Sequence, residues 1–236
     1  MEIISNNKVI NRKTKVDLFA SLIGMGVLAI GFFFAMKKED LATNQTIAFI
    51  ALIIGFIITQ ISVYHRNRWG KSSREDELVI KSLKGLGKQV TLYNNIAPAP
   101  YLLVGPMGIW VLIPYFHEGV ITYNEKRKRW HQKSNNLFGR IFSQAGLGRP
   151  DQDVITYCGK MERYFKKNLP ANLQPEVNVA LIFTTKSVKI DAANAPVPTL
   201  ALDKVKDFLR KLPKDGPVDP EMIAAVKELF PRESIS

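Results

Sequence analysis

The residues in this sequence best suited to chemistry are cations. Lys126-Arg127-Lys128-Arg129 runs into Trp130 and His131, with Lys133, Arg140 and Arg149 downstream and Phe138 and Phe142 interleaved. Between Asn124 and Pro150 only Glu125 offsets that charge. Such a segment can neutralise nucleic-acid phosphates while its aromatics stack on bases. It can equally lie against anionic lipid head groups, where each surface Lys or Arg contributes about 1 kcal/mol. A third reading is a solvated hairpin tip with Trp130 turned inward. The residues alone leave all three open.

Other reactive patterns fall away. Gly85-Leu86-Gly87-Lys88 and Gly146-Leu147-Gly148-Arg149 each place glycines beside a cation. Neither has the glycine-lysine-hydroxyl spacing of a phosphate loop, and neither sits between a strand and its following helix. Gly85 and Gly87 read instead as left-handed residues ending a helix. There is no Gly-x-Ser-x-Gly elbow, and the single Cys158 sits on the apolar stripe of a helix, as an inert thiol would. One Cys and three scattered His exclude a disulfide framework and a Cys/His zinc site.

These residues must be positioned by 236 residues that are 46% hydrophobic, with 33 Lys+Arg against 21 Asp+Glu. The composition excludes a disordered chain. The apolar residues are unevenly spread. Leu18–Met36 and Leu41–Tyr64 contain no charged residue, and a membrane span needs about 20 apolar residues. Lys8, Arg12, Lys13 and Lys15 precede the first stretch, and Arg66, Arg68, Lys71 and Arg74 follow the second, against Lys37 and Lys38 between them. That distribution puts both termini in the cytoplasm. Ala20 and Gly24, like Gly31 and Ala35, have the small-xxx-small spacing that lets helices approach closely, a spacing common enough by chance to support no claim about dimerisation.

Beyond residue 70, turn signals at Pro98–Pro100, Gly105–Gly108 and Gly119 separate short apolar runs, which read as an antiparallel meander after a first helix. A second helix carries Val154, Cys158, Met161 and Phe165 at helical spacing, with Asp151 as its cap. Val177–Phe183 is a strand covered on both faces. A short strand over Val197–Leu202 and two helices capped by Asp203 and by Asp219-Pro220 complete the chain. The expected fold is α/β, a mixed sheet flanked by helices, preceded by a two-helix transmembrane hairpin. The expected boundaries are a basic cytoplasmic tail over 1–16, the hairpin over 17–65, a basic juxtamembrane linker over 66–74 and a cytoplasmic α/β domain over 75–236.

The stretch from Glu77 to Trp130 resembles the nuclease-related domain (NERD), a bacterial relative of the restriction-endonuclease-like PD-(D/E)xK fold. Tyr101-Leu-Leu-Val-Gly-Pro-Met-Gly-Ile-Trp-Val-Leu112 follows the family's strand-turn-strand scaffold, Gly119-Val-Ile121 and Trp130 match its later strand, and Glu77 matches its helix Glu. Alignment on Gly105-Pro106 and Gly108 puts Pro100 at the family's Asp, Ile113 at its Glu and Tyr115 at its Lys. The resemblance implies that two carboxylates should hold a divalent metal at these positions. Pro and Ile have no side-chain oxygen to offer one. No Lys lies at the matching offset from Glu118 or Asp151 for either to have taken over.

Together the two apolar stretches, the resemblance and the departures from its metal positions lead to the expectation of a membrane-anchored, non-catalytic NERD-like protein, a binding or scaffold module at the cytoplasmic face of the membrane with no cofactor and no metal. Its candidate anionic-partner residues are Lys126, Arg127, Lys128, Arg129, Trp130, Lys133 and Arg140. The lipid bilayer is the first expected partner. Anionic lipid head groups, nucleic acid and a protein are the others, with no small-molecule substrate evident. The alternative is a metal-dependent nuclease or nucleic-acid-binding protein with non-standard site residues.

Overall fold

The computed structural model describes residues 1–37, 41–69, 73–133, 147–212 and 219–235. It divides into two units, residues 10–72 and residues 1–9 together with 73–236.

The first unit consists of most of α1 (Asn7–Met36) and α2 (Leu41–Trp69). Large apolar side chains, including Phe19, Phe32, Phe49 and Phe56, stand exposed along both helices. A helix apolar all round is either buried in protein or set in lipid. Among the described residues, Ala42–Ile61 is the one stretch long and apolar enough to cross a membrane, and α1 adds a shorter apolar stretch, Leu22–Met36. The helices touch where side chains are smallest. A Cβ on Gly31 would stand 2.9 Å from the Ala51 Cβ, one on Gly24 2.9 Å from the Thr59 Oγ1, and one on Gly55 2.7 Å from the Leu28 Cγ. The partner numbers fall as the α1 numbers rise, so the helices run antiparallel. The small-residue spacing at Gly24 and Gly31 therefore serves packing within this chain.

The second unit is a mixed sheet flanked by helices. Its strands are β1 (Glu2–Ser5), β2 (Thr91–Asn94), β3 (Tyr101–Gly105), β4 (Gly108–Tyr115), β5 (Gly119–Asn124), β6 (Arg129–Lys133), β7 (Val177–Phe183), β8 (Val188–Asp191) and β9 (Thr199–Ala201). Its helices are α3 (Ser73–Leu83), α4 (Pro150–Asn168), α5 (Leu202–Lys211) and α6 (Pro220–Glu228). The main sheet has the order β1-β2-β3-β4-β7-β9, and β6-β5-β8 forms a second, smaller sheet. β2, β3 and β4 are antiparallel neighbours, whereas β7 lies parallel to β4 and β9 parallel to β7.

Alternation along β4 sorts the core into two layers. Ile109, Val111, Ile113 and Tyr115 join Tyr157, Met161 and Phe165 of α4 and Val226 of α6. Trp110 and Leu112 join Val79 and Leu83 of α3 and Val205 and Leu209 of α5. β7 is buried at six of its seven positions, all of them apolar, and the partly exposed one is Asn178.

Several expectations need correction. Residues 1–16 do not form a separate tail: Glu2–Ser5 is the edge strand of the main sheet, and α1 starts at Asn7 without a break. Ile4, 2% exposed, is part of the core. The Glu2 N–H donates to the Val90 carbonyl at 2.9 Å, and the Asn6 N–H to that of Asn94 at 3.0 Å. On the other side the Ile235 N–H donates to the Ser5 carbonyl at 2.9 Å. β5 does not continue the meander. After Tyr115 the chain leaves the main sheet, and Gly119, at φ 89, starts β5 in the smaller one. Asp151 and Asp203 lie in the first turns of α4 and α5, whose caps are Arg149 and Ala201. Asp219 does cap α6, accepting from the Glu221 N–H at 2.9 Å, with Pro220 in the first turn.

Candidate functional site

The positions aligned with nuclease chemistry sit on the scaffold but carry no ligand set. Tyr101 pairs with Leu112 across β3 and β4, so Pro100 and Ile113 fall at one end of that strand pair. Ile113 is 4% exposed in the layer under α4. Two residues on, the Tyr115 hydroxyl donates to Asp153 Oδ2 of α4 at 2.7 Å. Its ring stacks on Phe183 with centroids 5.4 Å apart. Tyr115 thus ties β4 to α4 and β7.

Glu77 does not join these positions. It is exposed on α3, whose buried residues pack on the opposite face of the sheet from Ile113 and Tyr115. The buried acid of that helix is its neighbour Asp76, which accepts a hydrogen bond from the Tyr101 hydroxyl. Glu118 is exposed beyond the end of β4. Burial raises the Asp151 carboxyl, but hydrogen bonds from Arg149 and Gln152 and the Arg149 charge outweigh it and leave the pKa lowered. Among the described residues no group of three or more His, Cys, Asp or Glu is placed to hold a metal ion.

The basic segment forms the β5–β6 hairpin. The Arg127 N–H donates to Asn124 Oδ1 at 3.0 Å, and the Lys128 N–H to the Glu125 carbonyl at 3.3 Å. Lys128 takes a left-handed φ of 50, which closes the turn. Lys126, Arg127, Lys128 and Arg129 are all exposed at this tip. Along β6, Arg129, His131 and Lys133 alternate outward while Trp130 turns inward.

Trp130 is therefore corrected as a partner-binding candidate. It is 5% exposed, its indole N–H donates to Thr199 Oγ1 at 3.1 Å, and its ring lies 4.7 Å from that of Tyr123. An indole enclosed in this way has no face left for a base. Arg140, with Phe138 and Phe142, lies outside the described residues.

One cation escaped sequence reasoning. Val120 pairs with Lys133 on one side and Lys189 of β8 on the other, so Lys189 joins the same outer face. No run of charge marks it, because β8 is a separate segment that only the sheet register brings alongside. Asp191 is the carboxylate in the neighbouring row, beside Thr122 and His131. Glu125 accepts from the Asn194 side-chain amide at 2.7 Å. The result is a predominantly cationic sheet face capped by a cationic turn, able to neutralise a row of anionic groups, with no exposed Phe, Tyr or Trp among its described residues.

Cys158 is half-buried, and its thiol donates to Glu162 Oε1 at 3.2 Å. Burial first, then the Glu162 hydrogen bond and charge, push its pKa up to about 11. This thiol is a poor nucleophile at neutral pH.

No protein-family model matches this chain, and searches of curated proteins and of solved structures return no match.

Proposed function

We propose that this chain is a membrane-anchored, non-catalytic binding module of nuclease-related (NERD-like) type, held at the cytoplasmic face by a two-helix hairpin and presenting a basic sheet face to an anionic partner. The observation that carries the non-catalytic reading is the pair Ile113 and Tyr115. One is enclosed in apolar core and the other is hydrogen-bonded to Asp153, where the resemblance calls for a metal carboxylate and a lysine. The order helix, antiparallel meander, helix, parallel strand in α3, β2–β4, α4 and β7 supports the resemblance.

Strand pairing supports the anchoring. β1 precedes both long apolar helices and β2 follows them, yet the two are neighbours in one sheet. Residues 2–5 and 91–94 must therefore share one side of any membrane, and the number of crossings between them must be even. If Ala42–Ile61, the one described stretch long and apolar enough to cross, does so, then α1 crosses with it. The eight flanking Lys and Arg against two in the loop put the shared side in the cytoplasm. The helices, of 30 and 29 residues, reach about 45 Å at helical rise, enough for about 30 Å of hydrocarbon with ends in the head-group region.

Anionic lipid is the partner this face fits best. It is a sheet surface with no exposed Phe, Tyr or Trp among its described residues, on a domain tied to a cytoplasmic leaflet. The test uses the full chain in neutral nanodiscs, titrated with phosphatidylglycerol vesicles and with single- and double-stranded oligonucleotides in magnesium. Vesicle capture that is lost when Lys126–Arg129 are reversed to Glu supports the reading. Oligonucleotide binding with a steep salt slope, or any cleavage, contradicts it and favours the nuclease or nucleic-acid alternative.

A further inference from the structure

A second site lies away from the basic face. A groove of about 1230 Å³ opens at the carboxyl ends of β7 and β9. In sheets with parallel strands such crevices are where ligands bind. Its size exceeds the roughly 300–1,000 Å³ of ordinary small-molecule pockets. Two features of its walls indicate what fills it.

The first is strand edges. β9 ends the main sheet and β8 ends the smaller one, so each has an outer edge that no described strand pairs with. Both strands line the groove. An unpaired edge presents a row of backbone donors and acceptors that an extended segment can complete. Along β8 the partly buried Val188 and Ile190 line the groove, whereas the exposed Lys189 and Asp191 do not. Leu200 and Phe208 extend the apolar lining. A strand laid there would seat alternate side chains on apolar surface and leave the others at the rim.

The second feature is charge. Lys81, Lys186 and Lys204 border the groove, and Asp203 is the one carboxylate among its lining residues. Asp203 Oδ2 already lies 3.7 Å from the Lys204 Nζ. The rim therefore carries excess positive charge above an apolar floor.

We infer that this groove binds an extended acidic peptide segment, with alternating apolar and acidic residues, as an added strand against the open edges of β9 and β8. This goes beyond the proposed function and does not depend on it.

The experiment uses the full chain in nanodiscs and fluorescein-labelled octapeptides of alternating Val and Glu or alternating Val and Lys, read by anisotropy. The Val-Glu peptide is expected to bind, and the triple reversal K81E/K186E/K204E to weaken it at least about tenfold, consistent with loss of rim charge. Methylation of alternate backbone nitrogens is expected to abolish binding, since the added strand loses its donors. Reversal of Lys126–Arg129 should leave binding unchanged, which separates this site from the basic face. These lysines are exposed, and unchanged circular dichroism will show that the reversed protein is folded. Equal affinity for both peptides, undiminished binding of the methylated peptide, or binding of neither overturns the inference. So does capture of phosphatidylglycerol vesicles through these three lysines with neither peptide bound.

Discussion

Ile3 pairs with Leu92 in parallel register, although both long apolar helices lie between them in the chain. The α/β unit is thus interrupted by the helical pair, and its first strand is made before that pair begins. Ile235 forms a single bridge with Asn6 at the end of β1, so residues near both ends of the sequence meet there.

Ile4 accordingly behaves as a core residue despite its place at the N-terminus. Ile4→Ala is expected to cost about 2–5 kcal/mol, the usual range for an apolar truncation that leaves a cavity. Denaturant unfolding of the full chain in micelles, followed by tryptophan fluorescence, measures it. A fragment beginning at residue 70 lacks β1 and should be less stable than one in which residues 1–6 are joined by a linker to residue 73. Equal stability of the two fragments would contradict the role given to β1.

Tyr93 gives the sheet an alkaline limit. Burial, then the Glu2 charge, push its phenol up to about 12. A pKa raised on folding contributes stability below the unfolded value of about 10 and loses it as pH rises toward 12. Stability should fall across that window, with phenolate absorbance appearing late. Glu2→Gln removes the nearby charge and should bring the Tyr93 titration down toward its ordinary value, read from the same absorbance.

Cys158 should resist alkylation. With its pKa pushed up to about 11, little of the thiol is ionised at neutral pH. Iodoacetamide labelling should be slow, and Glu162→Gln should speed it by removing the negative charge beside the thiol. Labelling at the rate of a free cysteine would contradict the geometry.

Trp130 separates packing from binding. Trp130→Ala is expected to destabilise the unit by about 3–5 kcal/mol, as it empties a space under β9 and leaves Thr199 without its indole donor. Neutralising Lys126 and Lys128 should leave stability within about 0.5 kcal/mol, as for other exposed positions. Paired unfolding and vesicle-binding curves distinguish the two effects.

The sequence carried the strongest periodic signals and lost the short edges. Val177–Phe183 reads as a doubly covered strand because every residue is apolar except Asn178, and Met161 and Phe165 mark the buried stripe of α4 through their spacing. Glu2–Ser5 has too few residues to show alternation, and its partner lies far along the chain. β6 alternates cleanly, but its outward Arg129, His131 and Lys133 blend with the turn cations into what reads as one charged run. The same blending placed Trp130 among the binding candidates, since composition cannot tell the inner face of a strand from the outer. At the nuclease-like positions the residue types were legible, whereas the burial of Ile113 and the Tyr115–Asp153 bond needed the sheet and α4 together.

The central claim is that a membrane hairpin is inserted between two paired strands of one domain. Single cysteines placed at Glu2, Asp40 and Lys126 in a Cys158→Ser chain, probed with a membrane-impermeant maleimide in right-side-out and inverted vesicles, test it directly. The account predicts that Asp40→Cys labels only in right-side-out vesicles, and that Glu2→Cys and Lys126→Cys label only in inverted ones. Labelling of Glu2→Cys and Lys126→Cys from opposite sides, or of all three from the same side, would contradict it.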